Sequence, residues 1–261
     1  MPQSADRHDR HDRRPPASPR PRVPDAATRR AGDAALVIFG KAPIPGQVKT
    51  RLCPPLTADE AATLQGSLVL DVVERARAAA KSAQYDMVFA CSPSREHVFF
   101  KVLEDRQGLR LLDQVGDDLG ARMHQAFQEL FDRGYRQVVI VGTDVPTLPG
   151  STFAAAFRAL KDHDLVLGPA LDGGYYLIGL KRPTPDLFAG IPWSTDQVAA
   201  LTRKKAEGLG LTTALLPPYR DLDRLEDLQA LIGEAKSAPK TFSPRTAGVL
   251  QTLADRLRTR T

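Results

Sequence analysis

The chain has 261 residues, of which 42% are hydrophobic and 26% charged, with a formal net charge of +5. That suits one sizeable globular domain plus a tail, and no apolar run approaches the roughly 20 residues of a membrane span. The cysteines, Cys53 and Cys91, are too few and too poorly spaced for a disulfide framework or a zinc site, which fits a reducing cytoplasm. No basic surface with interleaved aromatics argues for nucleic acid as a partner.

Residues 1–33 are rich in Arg, Asp, His and Pro and almost free of large apolar groups. Such a segment cannot bury enough surface to offset the entropy of ordering, so it is expected to be a disordered tail. It lacks the apolar stretch of a signal peptide. A single domain is expected over 34–261.

Leu36-Val-Ile-Phe-Gly40 reads as a buried strand of a parallel sheet. A loop with Lys41, Pro43, Pro45, Gly46, Lys49 and Arg51 follows, and Thr57-Ala-Asp-Glu60 then opens a helix with a capping-box signature. Open α/β sheets hold phosphate-bearing ligands at the carboxyl ends of strands, which is where this basic loop falls. Lys49 and Arg51, two apart, would point to one side of an extended segment. The loop is not a P-loop. Gly40 and Gly46 enclose five residues instead of four, Lys49-Thr50 come two residues late, and the prolines remove N–H groups that would cradle phosphate.

Strands are expected at Tyr85–Cys91 and Leu109–Leu112, with a short helix from Pro93 to about Leu103 between them. In Gln114-Val-Gly116-Asp-Asp118-Leu-Gly120-Ala-Arg122-Met, the glycines suit a close approach to a ligand. Asp117 or Asp118 would equally serve as a helix cap, and a helix start can itself bind an anion. Val138–Val141 makes a central strand, with Asp144 just past its end. A carboxylate there could hold Mg²⁺ or Mn²⁺ against phosphate oxygens, or cap the turn into the next helix.

After a helix to about Lys161, Leu165–Gly168 and Tyr175–Leu180 form a hairpin with Asp172, Gly173 and Gly174 at its tip. Trp193, the sole tryptophan, precedes Ser194 and Thr195 at a helix start, either as a packed residue or as the wall of a substrate pocket. A late strand spans Leu211–Leu216. Asp223 then opens a helix as its cap or as a second metal ligand, and a last helical pattern, Thr246–Leu257, is expected to pack on the outside.

With these stretches in place, the chain resembles the GT-A-type glycosyltransferase-like family linked to arsenosugar biosynthesis, relatives of the phospholactate guanylyltransferases. The resemblance rests on Lys41-Ala-Pro-Ile-Pro-Gly-Gln-Val-Lys-Thr-Arg-Leu52, Gly142-Thr-Asp-Val-Pro146, Asp172-Gly-Gly-Tyr-Tyr-Leu-Ile-Gly179 and Pro192-Trp-Ser-Thr195. It covers about residues 34 to 235. Asp223-Arg-Leu-Glu-Asp-Leu228 is similar to a helix-opening Asp-Thr-Pro-Glu-Asp-Leu of the guanylyltransferases, with Thr-Pro replaced.

The resemblance implies a doubly wound α/β domain with a mostly parallel sheet, of the nucleotide-diphospho-sugar transferase (GT-A) type. It implies a metal-dependent transferase acting on a nucleotide or nucleotide-sugar donor and a small acceptor. Glycosyl transfer is the leading expectation, with nucleotidyl transfer and release of pyrophosphate as the alternative. A non-catalytic nucleotide-binding regulator is the second alternative. Lys49, Arg51 and Asp144 would be catalytic. Lys41, Gly46, Lys49, Arg51, Gly116, Asp118, Gly120 and Arg122 would bind the nucleotide, and Asp144 and Asp223 would hold Mg²⁺ or Mn²⁺. Asp172, Gly173, Gly174, Tyr175, Trp193, Ser194 and Thr195 would face the acceptor.

Overall fold

The centre of the molecule is strand β1, Ala34–Lys41, whose residues are all buried except Lys41 at its end. A strand covered on both faces must be apolar throughout, which is why Ala34-Ala-Leu-Val-Ile-Phe carries no polar alternation. The computed structural model describes residues 32–258. The segment expected to be a tail therefore lies, up to residue 31, outside the described residues.

Around β1 a seven-stranded sheet forms in the order β3-β2-β1-β4-β6-β5-β7. Its other strands are β2 (Asp86–Ser92), β3 (Arg110–Asp113), β4 (Gln137–Val141), β5 (Leu165–Pro169), β6 (Tyr175–Leu180) and β7 (Thr213–Leu215). Only β6 runs antiparallel, paired with β4 and β5, so the expected mostly parallel sheet and the β5–β6 hairpin are both present. β7 is shorter than its apolar pattern suggests. Pro217-Pro218 follow, and proline cannot extend a ladder.

Helices cover both faces. On one, α1 (Ala58–Ala83), α2 (Val98–Gln107) and α4 (Ser151–Asp162) bury Val69, Val72, Phe100, Phe153 and Phe157 against the sheet. On the other, α3 (Leu119–Asp132) and α5 (Val198–Gly208) bury Met123, Phe127, Leu130 and Ala206. The capping box opening α1 is formed in both directions, Glu60 N–H to Thr57 Oγ1 and Thr57 N–H to Glu60 Oε2. α2 starts later than its sequence suggests. The Pro93–Glu96 segment is a turn, its Arg95 N–H bound to Asp113 Oδ1 at 2.6 Å, and His97 caps the helix.

The last two helices, α6 (Leu225–Ser237) and α7 (Pro244–Arg258), do more than decorate the surface. With Leu52, Leu56, Leu64 and Leu68 they enclose a third apolar cluster containing Leu222, Leu228, Leu231, Leu250 and Leu253. The core thus extends past residue 235, where the motif resemblance stops. Among the described residues, no helix is long and apolar enough to cross a membrane.

Candidate functional site

The strand order reverses between β1 and β4, with β2 and β3 on one side and β6, β5 and β7 on the other. At such a switch point the connections diverge and leave a crevice at the carboxyl ends of the strands. The loop after β1 and the loop after β4 both emerge there.

The basic loop is shaped by its own backbone. Gly46 has φ +78°, which only glycine adopts readily, and Lys49 itself sits in the left-handed region at φ +50°. A short 3₁₀ turn, Thr50–Leu52, follows and plants Leu52 in the third cluster. The outcome is that Lys49 turns inward. Its side chain is 5% exposed, with Nζ 2.6 Å from Asp144 Oδ1 and 2.5 Å from the Leu222 carbonyl. Leu222 N–H in turn donates to the Asp144 carbonyl at 2.8 Å, so three distant segments close on one another. Arg51 is ion-paired with Asp223, both partly exposed. Lys41 stands exposed at the end of β1.

Neither aspartate is a cap. α4 opens at Gly150 and α6 at Arg224, both without a side-chain cap bond, and it is Asp227 Oδ2 that accepts from the Arg224 N–H at 2.9 Å. Asp221, on the other side of Leu222, is pushed up to about 6 by burial first and then by the neighbouring Asp172, Asp227 and Asp144 carboxylates. Like charges crowd this edge.

The donor set suits a hard divalent cation. The Asp144 side chain is 52% exposed, and its Oδ2 has no partner among the described residues. Hard carboxylate oxygens beside a phosphate site are what Mg²⁺ takes, commonly one or two of them with phosphates and water completing the shell. Among the described residues no group of three or more His, Cys, Asp or Glu side chains is arranged to hold a metal.

The remaining expected residues gather around the start of α3. Gly116, at φ +141°, has no room for a Cβ against the Ala121 and Arg122 backbone. Asp118 caps α3, its Oδ1 accepting from the Ala121 N–H at 2.7 Å, and Arg122 Nε donates to the Gly116 carbonyl at 2.9 Å. Both side chains therefore hold the loop in shape. A Cβ on Gly120 would overlap the Trp193 ring, which packs against that position. Tyr175, whose phenol burial pushes up, reaches Met123 Sδ at 3.9 Å.

Gly173 packs on the Asp196 backbone and its carbonyl accepts from Ala199 N–H at 2.9 Å, while Asp172 Oδ1 binds Gly174 N–H at 2.8 Å. The hairpin tip is thus fastened to the loop carrying Trp193, Ser194 and Thr195. Ser194 has φ +67°, and Thr195 Oγ1 donates to the Pro192 carbonyl at 2.8 Å. The whole forms an open ledge. A hollow of about 550 Å³ lined by Tyr135, Lys161 and Lys181 opens at the opposite end of the strands, where β4 begins and β6 finishes, and is separate from it.

Such a ledge at the switch point of a doubly wound sheet belongs to the nucleotide-diphospho-sugar transferase class of folds. A provisionally assigned nucleotide-diphospho-sugar transferase from Desulfovibrio desulfuricans G20 superposes with a TM-score of 0.78 at 32% identity, over 87% of this chain and 97% of that one. The family model described as "Uncharacterized protein conserved in bacteria (DUF2064)" matches residues 75–195. At 32% identity and with nearly the whole of the Desulfovibrio chain covered, this chain belongs to the nucleotide-diphospho-sugar transferase family of that relative.

It is also 29% identical over 222 residues to a 3-phospho-D-glycerate guanylyltransferase of Phenylobacterium zucineum (strain HLK1), covering 80% of this chain and 93% of that one. A phosphoenolpyruvate guanylyltransferase of Chloroflexus aggregans (strain MD-66 / DSM 9485) is 29% identical over 129 residues, 49% of this chain and 63% of that one. These relatives are named as transferases, as expected of this chain. The two guanylyltransferases favour the nucleotidyl alternative over glycosyl transfer, and none of the three is named for arsenosugar synthesis.

Proposed function

We propose that this protein is a metal-dependent nucleotidyltransferase. It joins the nucleoside monophosphate of a triphosphate, guanosine triphosphate by analogy with its relatives, to a small phosphorylated carboxylic acid. An acceptor oxygen attacks the α-phosphorus, the bond to the β-phosphate oxygen breaks, and pyrophosphate leaves.

The observation that carries this reading is the buried Lys49 ammonium, fixed between Asp144 and Leu222 at the carboxyl ends of β1 and β4. A cation held in place before substrate arrives stabilises developing phosphate charge without reorganising at the moment of reaction. Arg51, on the same loop, would neutralise the leaving pyrophosphate. Asp144, with Asp223, would hold Mg²⁺ or Mn²⁺, which as a Lewis acid draws charge from the phosphate oxygens. The Gly116–Arg122 segment, with Lys41 and Gly46 on the facing loop, would receive the nucleoside. Asp172–Tyr175 and Trp193–Thr195 would shape the acceptor side.

The deciding experiment incubates the protein and Mg²⁺ with each nucleoside triphosphate and 3-phosphoglycerate or phosphoenolpyruvate, and separately with nucleotide sugars. Pyrophosphate release with a nucleotidylated product is the expected result. Nucleoside diphosphate release from nucleotide sugars alone would establish glycosyl transfer, and turnover of neither would leave a binding protein.

A further inference from the structure

Gln114 stands at the first position past β3, between that strand and the Gly116 loop. Its side chain reaches back over the sheet edge. Nε2 lies 2.9 Å from the Ala90 carbonyl on β2 and 3.3 Å from the Gly40 carbonyl on β1. A carbonyl can only accept, so the atom facing both must be the amide nitrogen, and the orientation of the carboxamide is fixed by chemistry. Both N–H donors are used. The Gln114 N–H is used as well, in a bond of 3.0 Å to the Cys91 carbonyl.

What remains is Oε1. It has no hydrogen-bond partner among the described residues, and it is not one of the buried side-chain atoms left without one, so it is open to solvent. A half-buried amide pinned by its nitrogen presents an oriented acceptor at the carboxyl ends of β1 and β2. It lies two residues from Gly116, where the absence of a side chain lets the start of α3 pack against the backbone.

We infer that Gln114 is a base-reading residue, its Oε1 accepting an N–H from the Watson–Crick edge of the nucleobase. The inference rests on the nucleotidyltransferase reading above and deepens it. Guanine offers N1–H and the N2 amino group side by side on that edge, which an oriented acceptor can read. A site that hydrogen-bonds one edge rejects analogues lacking the donor, because its own polar atom is then left unpaired.

The test is equilibrium binding of GTP, ITP, which lacks the N2 amino group, and 1-methyl-GTP, which lacks N1–H, to wild type and to Gln114→Met. Wild type should prefer GTP over at least one analogue by about tenfold, the size of one net hydrogen bond. Gln114→Met, of similar length but without an acceptor, should bind the three about equally. Gln114→Asn, which withdraws the oxygen by one methylene, should level the ranking too and serves if the Met variant does not fold. A ranking that survives in the folded variant would show that Gln114 only ties strands together. Equal binding of the three by wild type would overturn the inference while leaving nucleotide binding intact. No binding of any triphosphate would overturn the parent reading with it.

Discussion

Lys49 Nζ and Asp144 Oδ1 lie 2.6 Å apart, but the two side chains live in different surroundings, 5% and 52% exposed. The cation has lost nearly all its water, whereas the carboxylate keeps half of its own. Removing the carboxylate therefore strands a buried charge, whereas removing the lysine leaves only the neutral Leu222 carbonyl without its donor. Asp144→Asn is expected to lower stability by about 1–3 kcal/mol, as for a hydrogen bond to a charged group. Lys49→Met should cost no more than Asp144→Asn, because it removes the desolvated charge and leaves one neutral acceptor unpaired, at about 1–2 kcal/mol. Both should abolish turnover, and only Asp144→Asn should also alter the Mg²⁺ dependence of nucleotide binding. Denaturation curves beside calorimetric titrations with and without Mg²⁺ would check this. Unchanged stability in Asp144→Asn would mean that Lys49 relies on the Leu222 carbonyl alone.

Arg51 and Asp223 also pair, but with 56% and 36% of their side chains exposed. Water and salt screen such a pair, so Arg51→Ala or Asp223→Ala should cost at most about 1 kcal/mol in stability. Their binding effects should diverge. Arg51→Ala is expected to weaken triphosphate affinity by about 1.5–3 kcal/mol through the lost charge-assisted bond. Asp223→Ala should affect chiefly the metal-dependent part of that affinity. Equal triphosphate affinity in wild type and Arg51→Ala would place Arg51 outside the site.

The contrast between these pairs shows what the sequence could and could not disclose. Apolar runs ending at Gly40 and Val141 located the strands, and the turn residues that follow located the crevice. Nothing local told that Lys49 would bury its ammonium against a residue 95 positions away. Asp118 and Arg122 sit in the right stretch, yet cap formation and a bond to the Gly116 carbonyl occupy them, because helix-start geometry makes those partners nearest. Asp221 and Gln114 give only weak signals in the sequence: carboxylates two apart around an apolar Leu222, and a lone amide just past a buried strand.

The C-terminal helix is a structural partner of the site. Asp71 of α1 is 1% exposed and accepts from Ser243 Oγ, from Arg245 Nη1 at 2.6 Å and from Thr246 Oγ1 at 2.5 Å, all at the start of α7. Asp71→Ala leaves this cluster without its acceptor and is expected to cost about 3–5 kcal/mol. Asp71→Asn, which keeps one acceptor, should cost less. α7 shares the third apolar cluster with Leu52 and Leu222, so loosening it should also weaken nucleotide binding. Urea midpoints and nucleotide affinity measured together would check this. A destabilised variant with unchanged affinity would uncouple the helix from the loop.

Gly120 and Trp193 supply a test that reads the ledge directly. The ring covers the site where a Cβ would stand on Gly120, so Gly120→Ala must push the indole aside. Overpacking of this kind costs about 1–3 kcal/mol. Trp193 is the sole tryptophan, so its fluorescence reports this contact alone, and a red shift should follow as the ring meets more water. The loop holding it also carries Ser194 and Thr195 and is fastened to Gly173 through Ala199. Gly120 lies on the segment proposed to receive the nucleoside and Trp193 on the one proposed for the acceptor, so displacement should raise both KM values, that of the substrate facing the ring the more. Fluorescence spectra and paired substrate titrations of wild type and Gly120→Ala would settle it. A shifted spectrum with both KM values unchanged would remove Trp193 from the acceptor side, and a larger donor effect would assign the ring to the nucleoside instead.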